Sequence, residues 1–206
     1  MKVREAAGAL AERPFRYQFL ASATSFLGDN IVAVALAFAV LDLTGSATDL
    51  GLVLGARTVM LVIFFLIGGV WADRISRQKL MMISDLGRAF TQGALGFLII
   101  TGIAELWHFI ALEALNGVAS AFFSPAATGL TPKTVSRPRL QQANALLSLT
   151  HSSAGIAGPV IAGILVATAG PGPALVVDAQ PSSLAPYFSF RSSCPPQRRD
   201  SSVLLS

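Results

Sequence analysis

The sequence predicts an all-α membrane protein, and three observations support this fold class. Hydrophobic residues make up 53% of the 206 residues and charged residues only 13%, whereas soluble domains carry roughly 25% charge. Apolar runs of the length that a membrane-spanning helix needs, about 20 residues, recur along the chain. Basic residues cluster in alternate connections between these runs, as the positive-inside rule requires.

Five apolar runs are predicted to form membrane-spanning helices. Each is bounded by charged or turn-forming residues, and the short connections between them are typical of a compact bundle. The runs cover approximately residues 17–41, 50–72, 80–103, 107–130 and 143–169. They predict a helical bundle over residues 17–179, preceded by a cytoplasmic N-terminus at residues 1–16.

The distribution of basic residues predicts the orientation of the bundle. Lysine and arginine precede the first run and follow the second and fourth, and the connections after the first, third and fifth runs contain neither. The N-terminus is therefore expected in the cytoplasm and the chain in the plasma membrane as a multi-pass protein. Because the net charge of +4 is spread over short connections, membrane lipid is the expected partner and nucleic acid is not.

No catalytic residue, metal site or cofactor is predicted. The sequence contains no phosphate-binding P-loop. The two histidines, His108 and His151, have no neighbours at metal-ligand spacing and are expected as hydrogen-bonded residues near helix ends. Cys194 is the single cysteine, so an intramolecular disulfide is excluded.

Charged residues inside the predicted spans are the candidates for a functional role, because a charge within lipid is costly. Asp29 lies near the middle of the first run, and Arg57 and Glu113 lie at similar depths in the second and fourth. We expect Asp29 and Glu113 to compete for Arg57, and the carboxylate that loses this partner to take up a proton. A static ion pair that only orients the helices is the alternative. Asp85 and Arg88 are expected to pair along the third run.

The connection "GGVWADRISRQK" at residues 68–79 turns abruptly from apolar to basic. Simple retention of a basic loop in the cytoplasm would explain its charge. Four of its residues also place a carboxylate and arginines at the membrane edge, where they can hold one packing of two helix bundles and release it. We call them the gating loop: Gly69, Asp73, Arg74 and Arg77. This pattern resembles the signature loop G-x-x-x-D-R-x-G-R-[RK] of the major facilitator superfamily. Ser76 and Gln78 depart from it, at a usual glycine and a usual basic residue.

A second stretch, "SSAGIAGPVIAG" at residues 152–163, is similar to the exporter helix motif of the same superfamily. The residues concerned are Ala154, Gly158, Pro159 and Gly163, with Ala154 and Ala162 replacing two of the usual glycines. Small residues every four positions let a neighbouring backbone approach closely, and a proline lets the helix bend. Ordinary close helix packing is the alternative explanation of this stretch.

Further stretches, including "SFLGDNI" and "NGVASAFFSPAATGLTPKTV", resemble the macrolide-efflux and siderophore-exporter-like branch of the superfamily. The resemblance implies the N-terminal half of a bundle of about twelve helices: five spans and an aborted sixth. It also implies proton-coupled export of a hydrophobic or amphipathic small molecule by the complete transporter.

The last residues depart from this pattern. Serine and proline account for 12 of the last 26 residues, so residues 180–206 are predicted to be a disordered tail. We expect a frameshift or a truncated gene near Gln180. Two alternatives to an exporter fragment therefore remain: a non-functional truncated product, or a short membrane protein that self-associates or pairs with a partner half.

Overall fold

The part of the chain covered by a computed structural model, residues 8–72 and 77–178, consists of helices joined by short connections. A 3₁₀ turn at Arg137–Arg139 separates the fourth and fifth helices. The helices are α1 (Arg13–Thr44), α2 (Ala47–Ala72), α3 (Arg77–Thr101), α4 (Leu106–Thr134), α5 (Leu140–Ala169) and α6 (Pro171–Asp178). The predicted all-α fold class is thus confirmed, and each of the five apolar runs lies largely within one of α1 to α5.

Four stretches in the described part of the chain are long and apolar enough to cross a membrane. They are Arg13–Thr44, Ala47–Phe65, Leu106–Phe123 and Arg137–Ala169. Helix α3 is absent from this set although it has 25 residues. Its charged and amide side chains, among them Asp85, Arg88 and Gln92, lower its mean hydropathy, so its membrane crossing stays a prediction.

Tight turns end three of the helices at the same end of the bundle, which we call the glycine end. Gly45, Gly102 and Gly170 follow α1, α3 and α5 with φ of 65°, 72° and 85°. This left-handed conformation is accessible to glycine without strain. After α1 and α5 the glycine N–H closes the helix by donating to a carbonyl of the last turn, Leu41 or Val166.

The helices pack mainly in pairs, α2 with α4 and α1 with α5, and α3 packs against both α4 and α6. Two glycines allow the closest approaches. A Cβ at Gly158 on α5 would stand 2.4 Å from Asn30 Cβ on α1, and one at Gly117 on α4 would stand 2.3 Å from the carbonyl oxygen of Arg57 on α2. Both distances are far below a carbon contact, so these positions require glycine.

Two apolar clusters lie toward opposite ends of the bundle. The larger cluster, toward the glycine end, is formed by Val32, Ala35, Leu36, Ala39, Val40, Val53, Leu95, Phe109, Ala174 and Leu175. The smaller cluster, at the opposite or N-terminal end, is formed by Ala9, Phe15, Val135 and Ala143. The part of the bundle between them contains the buried polar residues described below.

At the N-terminal end, the side chain of Glu12, which precedes α1, contacts the connection between α4 and α5. Ser136 donates to its carboxylate through the hydroxyl at 2.7 Å and the backbone N–H at 3.1 Å, and Arg139 Nη1 lies 3.4 Å away. The hydroxyl hydrogen bond is the main cause that lowers the pKa of Glu12 below its ordinary value of 4.5, against an opposing effect of burial. We call this contact the Glu12 latch.

The close approach at Gly158 predicts that Gly158→Ala destabilises the chain. Overpacking of this kind costs about 1–3 kcal/mol, so the thermal unfolding temperature of the detergent-solubilised chain should fall. Gly163→Ala is the matched control on the same helix, because a Cβ at that position meets no atom within 4 Å. It should leave the temperature unchanged or raise it, since alanine favours a helix by about 1 kcal/mol over glycine. Equal effects of the two variants would contradict the packing.

The Glu12 latch predicts a pH-dependent contact. Because the pKa of Glu12 is lower in the folded chain than in the unfolded chain, the latch stabilises the fold above about pH 4.5 and is lost as the pH falls through the lowered value. Hydrogen exchange of the Ser136 amide, corrected for its intrinsic pH dependence, should therefore accelerate at acidic pH. Glu12→Gln should remove this dependence, and Glu105→Gln at the glycine end should retain it. Acid-independent exchange in the unmodified chain would contradict the latch.

Candidate functional site

An ion pair between α1 and α3 lies near the middle of the bundle. Arg88 donates through Nη2 to Asp29 Oδ1, and its Nη1 lies 3.3 Å from the hydroxyl of Ser25. The guanidinium carbon also stands 5.6 Å from the ring centroid of Phe123 on α4, within the range of a cation–π contact. The Arg88 side chain is 11% exposed and that of Asp29 is 36% exposed, so the carboxylate is the accessible member of the pair.

The predicted partner of Asp29 is therefore corrected: the carboxylate pairs with Arg88 rather than with Arg57. Arg88 reaches across from α3 to α1, and its expected pairing with Asp85 along α3 stays a prediction. The reason is the rotational setting of α3, which directs Arg88 toward α1 at the depth of Asp29. Sequence spacing fixes depth along a helix but not this rotation.

Glu113 forms a second charged centre with α2 and α3, and it is fully buried. Gln92 on α3 donates through Nε2 to Glu113 Oε1 at 2.9 Å, whereas Arg57 Nε lies 3.8 Å from Oε2. The arginine thus neutralises the carboxylate from beyond hydrogen-bond distance, and the amide makes the shorter contact. The structure brings Arg57 and Glu113 together, as expected, and places Asp29 elsewhere.

A chain of neutral hydrogen bonds lies between the two charged centres. Asn116 donates to the Thr91 hydroxyl at 3.1 Å, and Thr91 donates to the carbonyl of Arg88 at 2.9 Å. Ser120 in turn donates to Asn116 Oδ1 at 3.3 Å. At 1.5 Å per residue, Glu113 is about 10 Å and Asp29 about 22 Å from the glycine ends of their helices. We call the polar residues from the depth of Glu113 to the depth of Asp29 the polar layer.

A cleft of about 460 Å³ opens between α1 and α5 on the N-terminal side of the polar layer. Phe26 and His151 meet edge to face at its wall, with ring centroids 4.9 Å apart. The amide of Gln18 is fixed by donation to Thr131 at 2.8 Å and by acceptance from Thr134 at 2.6 Å. Serine and asparagine side chains complete a lining that mixes hydrogen-bonding and aromatic groups: Ser22, Asn144, Ser148 and Ser152.

The other predicted site residues are placed as follows. Ala154 and Gly158 are buried on α5, Pro159 lies within the same helix, and Gly163 has open space beside its Cα. Gly69 lies in α2 and Arg77 begins α3. Asp73 and Arg74 fall outside the described residues, as does the tail from residue 179 onward. Of the two histidines, His108 caps α4, whereas His151 lies well inside α5 and lines the cleft.

Several residues of the site were not predicted from the sequence: Ser25, Thr91, Gln92, Asn116 and Ser120 on the polar layer, with Gln18 and Ser22 at the cleft. The sequence nevertheless contains a pattern that could have identified them. Polar residues recur at helical spacing along one face of three otherwise apolar helices, namely Gln18, Ser22, Ser25 and Asp29 on α1, Asp85, Arg88 and Gln92 on α3, and Glu113, Asn116 and Ser120 on α4. A search for charges alone overlooks such stripes.

The comparison with known families agrees with this architecture. The model of the Major Facilitator Superfamily matches residues 18–200. The chain belongs to this superfamily. The match extends past Gln180, where the sequence was expected to depart from the family pattern, so that departure stays a prediction.

Curated members of the superfamily are similar to this chain. It is 32% identical over 151 residues to the uncharacterized MFS-type transporter YfiS of Bacillus subtilis, covering 72% of this chain and 35% of the relative. It is 32% identical over 165 residues to the multidrug efflux pump Tap of Mycolicibacterium fortuitum, covering 76% and 40%. It is 30% identical over 158 residues to the enterobactin exporter EntS of Shigella boydii, covering 76% and 38%. The chain thus spans about two fifths or less of the relatives' length.

The pairing within the polar layer predicts the outcome of two double-mutant cycles. Asp29→Asn combined with Arg88→Met should show a coupling free energy of about 1–3 kcal/mol, because each single change removes the charge-assisted contact between the two side chains. Asp29→Asn combined with Arg57→Met should be additive within about 0.5 kcal/mol. Both cycles can be measured as unfolding free energies of the chain in detergent. A larger coupling in the second cycle would restore the pairing with Arg57 and contradict the structure.

Proposed function

We propose that this chain carries part of the transport machinery of a secondary exporter, one that moves hydrophobic or amphipathic small molecules such as drugs or siderophores in exchange for protons. It acts in the plasma membrane with its N-terminus in the cytoplasm. The partly buried ion pair between Asp29 and Arg88 is the observation that carries the proposal. A charged pair among apolar helices is costly to bury, and in membrane proteins such residues commonly serve ion or substrate pathways.

The ion pair suits a proton-coupled step. Asp29 is 36% exposed at its side chain, so a proton can reach it without unfolding of the bundle. Protonation removes its charge and weakens its bond to Arg88, because charge-assisted hydrogen bonds are roughly twice as strong as neutral ones. The contact between α1 and α3 then loosens, which changes the relative stability of two helix packings.

The cleft beside the ion pair suits an amphipathic substrate. Phe26 lies three residues before Asp29 on α1, so a ligand against Phe26 is close to the carboxylate. The ring pair formed with His151 offers apolar contact, and the amides and hydroxyls around it fix orientation by hydrogen bonding. The names of two relatives, a multidrug efflux pump and an enterobactin exporter, agree with a substrate of this kind.

The two sequence motifs have roles in this proposal. The gating loop, with Gly69, Asp73, Arg74 and Arg77, holds one packing of the helix bundles and releases it during transport. The exporter helix motif, with Ala154, Gly158, Pro159 and Gly163, lets α5 pack closely and bend. A buried small-residue face on α5 at Ala154, Gly158 and Ala162 supports the second role.

Transport by inside-out vesicles tests the proposal. In vesicles from cells that express the chain, an imposed proton gradient should drive uptake of a fluorescent amphipathic dye, and Asp29→Asn should abolish this uptake because asparagine cannot take up the proton. Asp42→Asn is the matched control: it removes a carboxylate from the same helix at an exposed position near its end. It should retain uptake.

Two results would contradict the proposal. Full uptake with Asp29→Asn would reject Asp29 as the proton acceptor. Uptake by unmodified vesicles no greater than in vesicles from cells without the gene would reject export by this chain.

A further inference from the structure

The two amide atoms of the Gln92 side chain differ in their hydrogen bonding. Its side chain is buried, 2% exposed, and its Nε2 donates to Glu113 Oε1 at 2.9 Å. Its Oε1 is also buried and accepts no hydrogen bond within the part of the chain that the structure describes. Buried acceptors are nearly always satisfied in folded proteins, so this oxygen indicates a second arrangement in which it accepts a proton donor.

A protonated Glu113 is such a donor. An ionised carboxylate only accepts hydrogen bonds, whereas a carboxylic acid has an O–H to donate. A glutamine amide can meet either form, because rotation of its terminal torsion by about 180° exchanges N–H₂ and C=O, and this torsion has two broad, similar minima. In each orientation one of the two amide atoms contacts Glu113, so the rotation leaves no additional buried atom without a partner.

The charges around Glu113 permit the change. Arg57 on α2 is 3.8 Å away and its side chain is 22% exposed, so it can be solvated when the carboxylate becomes neutral. On α3, Asp85 and Arg88 lie one to two turns from Gln92, and Arg88 is paired with Asp29 on α1.

We propose that Glu113 is a second proton-accepting group of this chain and that Gln92 is its positioning residue, with an amide that rotates as Glu113 changes between its ionised and protonated forms. When Glu113 is ionised, the N–H₂ of Gln92 donates to it. When Glu113 is protonated, its O–H donates to the carbonyl of Gln92. The idea deepens the proton coupling proposed above, but it can be tested without transport.

Infrared difference spectroscopy of the full chain in lipid vesicles tests the proposal. With ¹³C-labelled glutamine amides, the carbonyl band of Gln92 should shift to lower frequency as Glu113 becomes protonated, because the carbonyl gains a hydrogen bond. The band shift and the appearance of the Glu113 carboxylic acid band should have the same midpoint pH. Gln92→Met should remove the amide signal and raise this midpoint by roughly half to one pH unit, since the charge-assisted bond lost by the ionised form is the stronger one.

Matched variants separate this role from a merely structural one. Gln142→Met removes an amide whose Oε1 is likewise buried without a partner, on α5 near the N-terminal end, and should leave both bands unchanged. Glu113→Gln keeps the side-chain shape and should abolish both pH-dependent signals, which keeps the test informative if Gln92→Met does not fold.

Two spectra would overturn the proposal. One is an amide band that stays constant while Glu113 titrates. The other is a Glu113 midpoint that is the same in the unmodified chain and in Gln92→Met. Because neither depends on dye uptake, failure of this inference is distinguishable from failure of the exporter proposal.

Discussion

The structure depends on one constraint: a charge placed inside an apolar helix bundle must find a partner on a neighbouring helix. Arg88 meets this constraint through Asp29, and Glu113 meets it through Gln92 and Arg57. Each of these contacts joins two helices, and breaking one removes part of the compensation of a charge that lies among apolar helices. The polar layer therefore acts as a structural connection between the helices.

Helix α3 is the element on which these connections converge. The close glycine contacts at Gly158 and Gly117 bring α1 against α5 and α2 against α4, which makes two tightly packed pairs. Arg88 links α3 to the first pair, and Gln92 and Thr91 link it to the second. Because the links through Arg88 and Gln92 involve a charged group and their strength depends on that charge, the proposed protonation would act on the junction between the pairs rather than on the packing within them.

Apolar run length and charge were sufficient to predict the helices and the fold class, because backbone hydrogen bonds inside lipid leave helices as the natural solution for such runs. The same reasoning identified Asp29, Arg57 and Glu113 as charges inside the predicted spans. It could not predict that Asp29 pairs with Arg88, since the partner depends on how α3 is rotated and which helices are adjacent. Gln92, Thr91 and Asn116 were missed because single neutral polar residues are common in membrane helices, and only their recurrence on one face distinguishes them.

The two carboxylates of the polar layer differ in their exposure to solvent. Asp29 is partly exposed and follows the polar face of α1 that begins at the cleft with Gln18 and Ser22. Glu113 is fully buried close to the apolar cluster at the glycine end. Under the proposed proton coupling, a proton that enters through the cleft would meet Asp29 first, and it would reach Glu113 only after a movement of α3 or a rearrangement of the hydrogen bonds between Thr91 and Asn116. In that proposal, two carboxylates of unequal exposure on either side of α3 would be protonated in a fixed order, which a single exposed carboxylate could not provide.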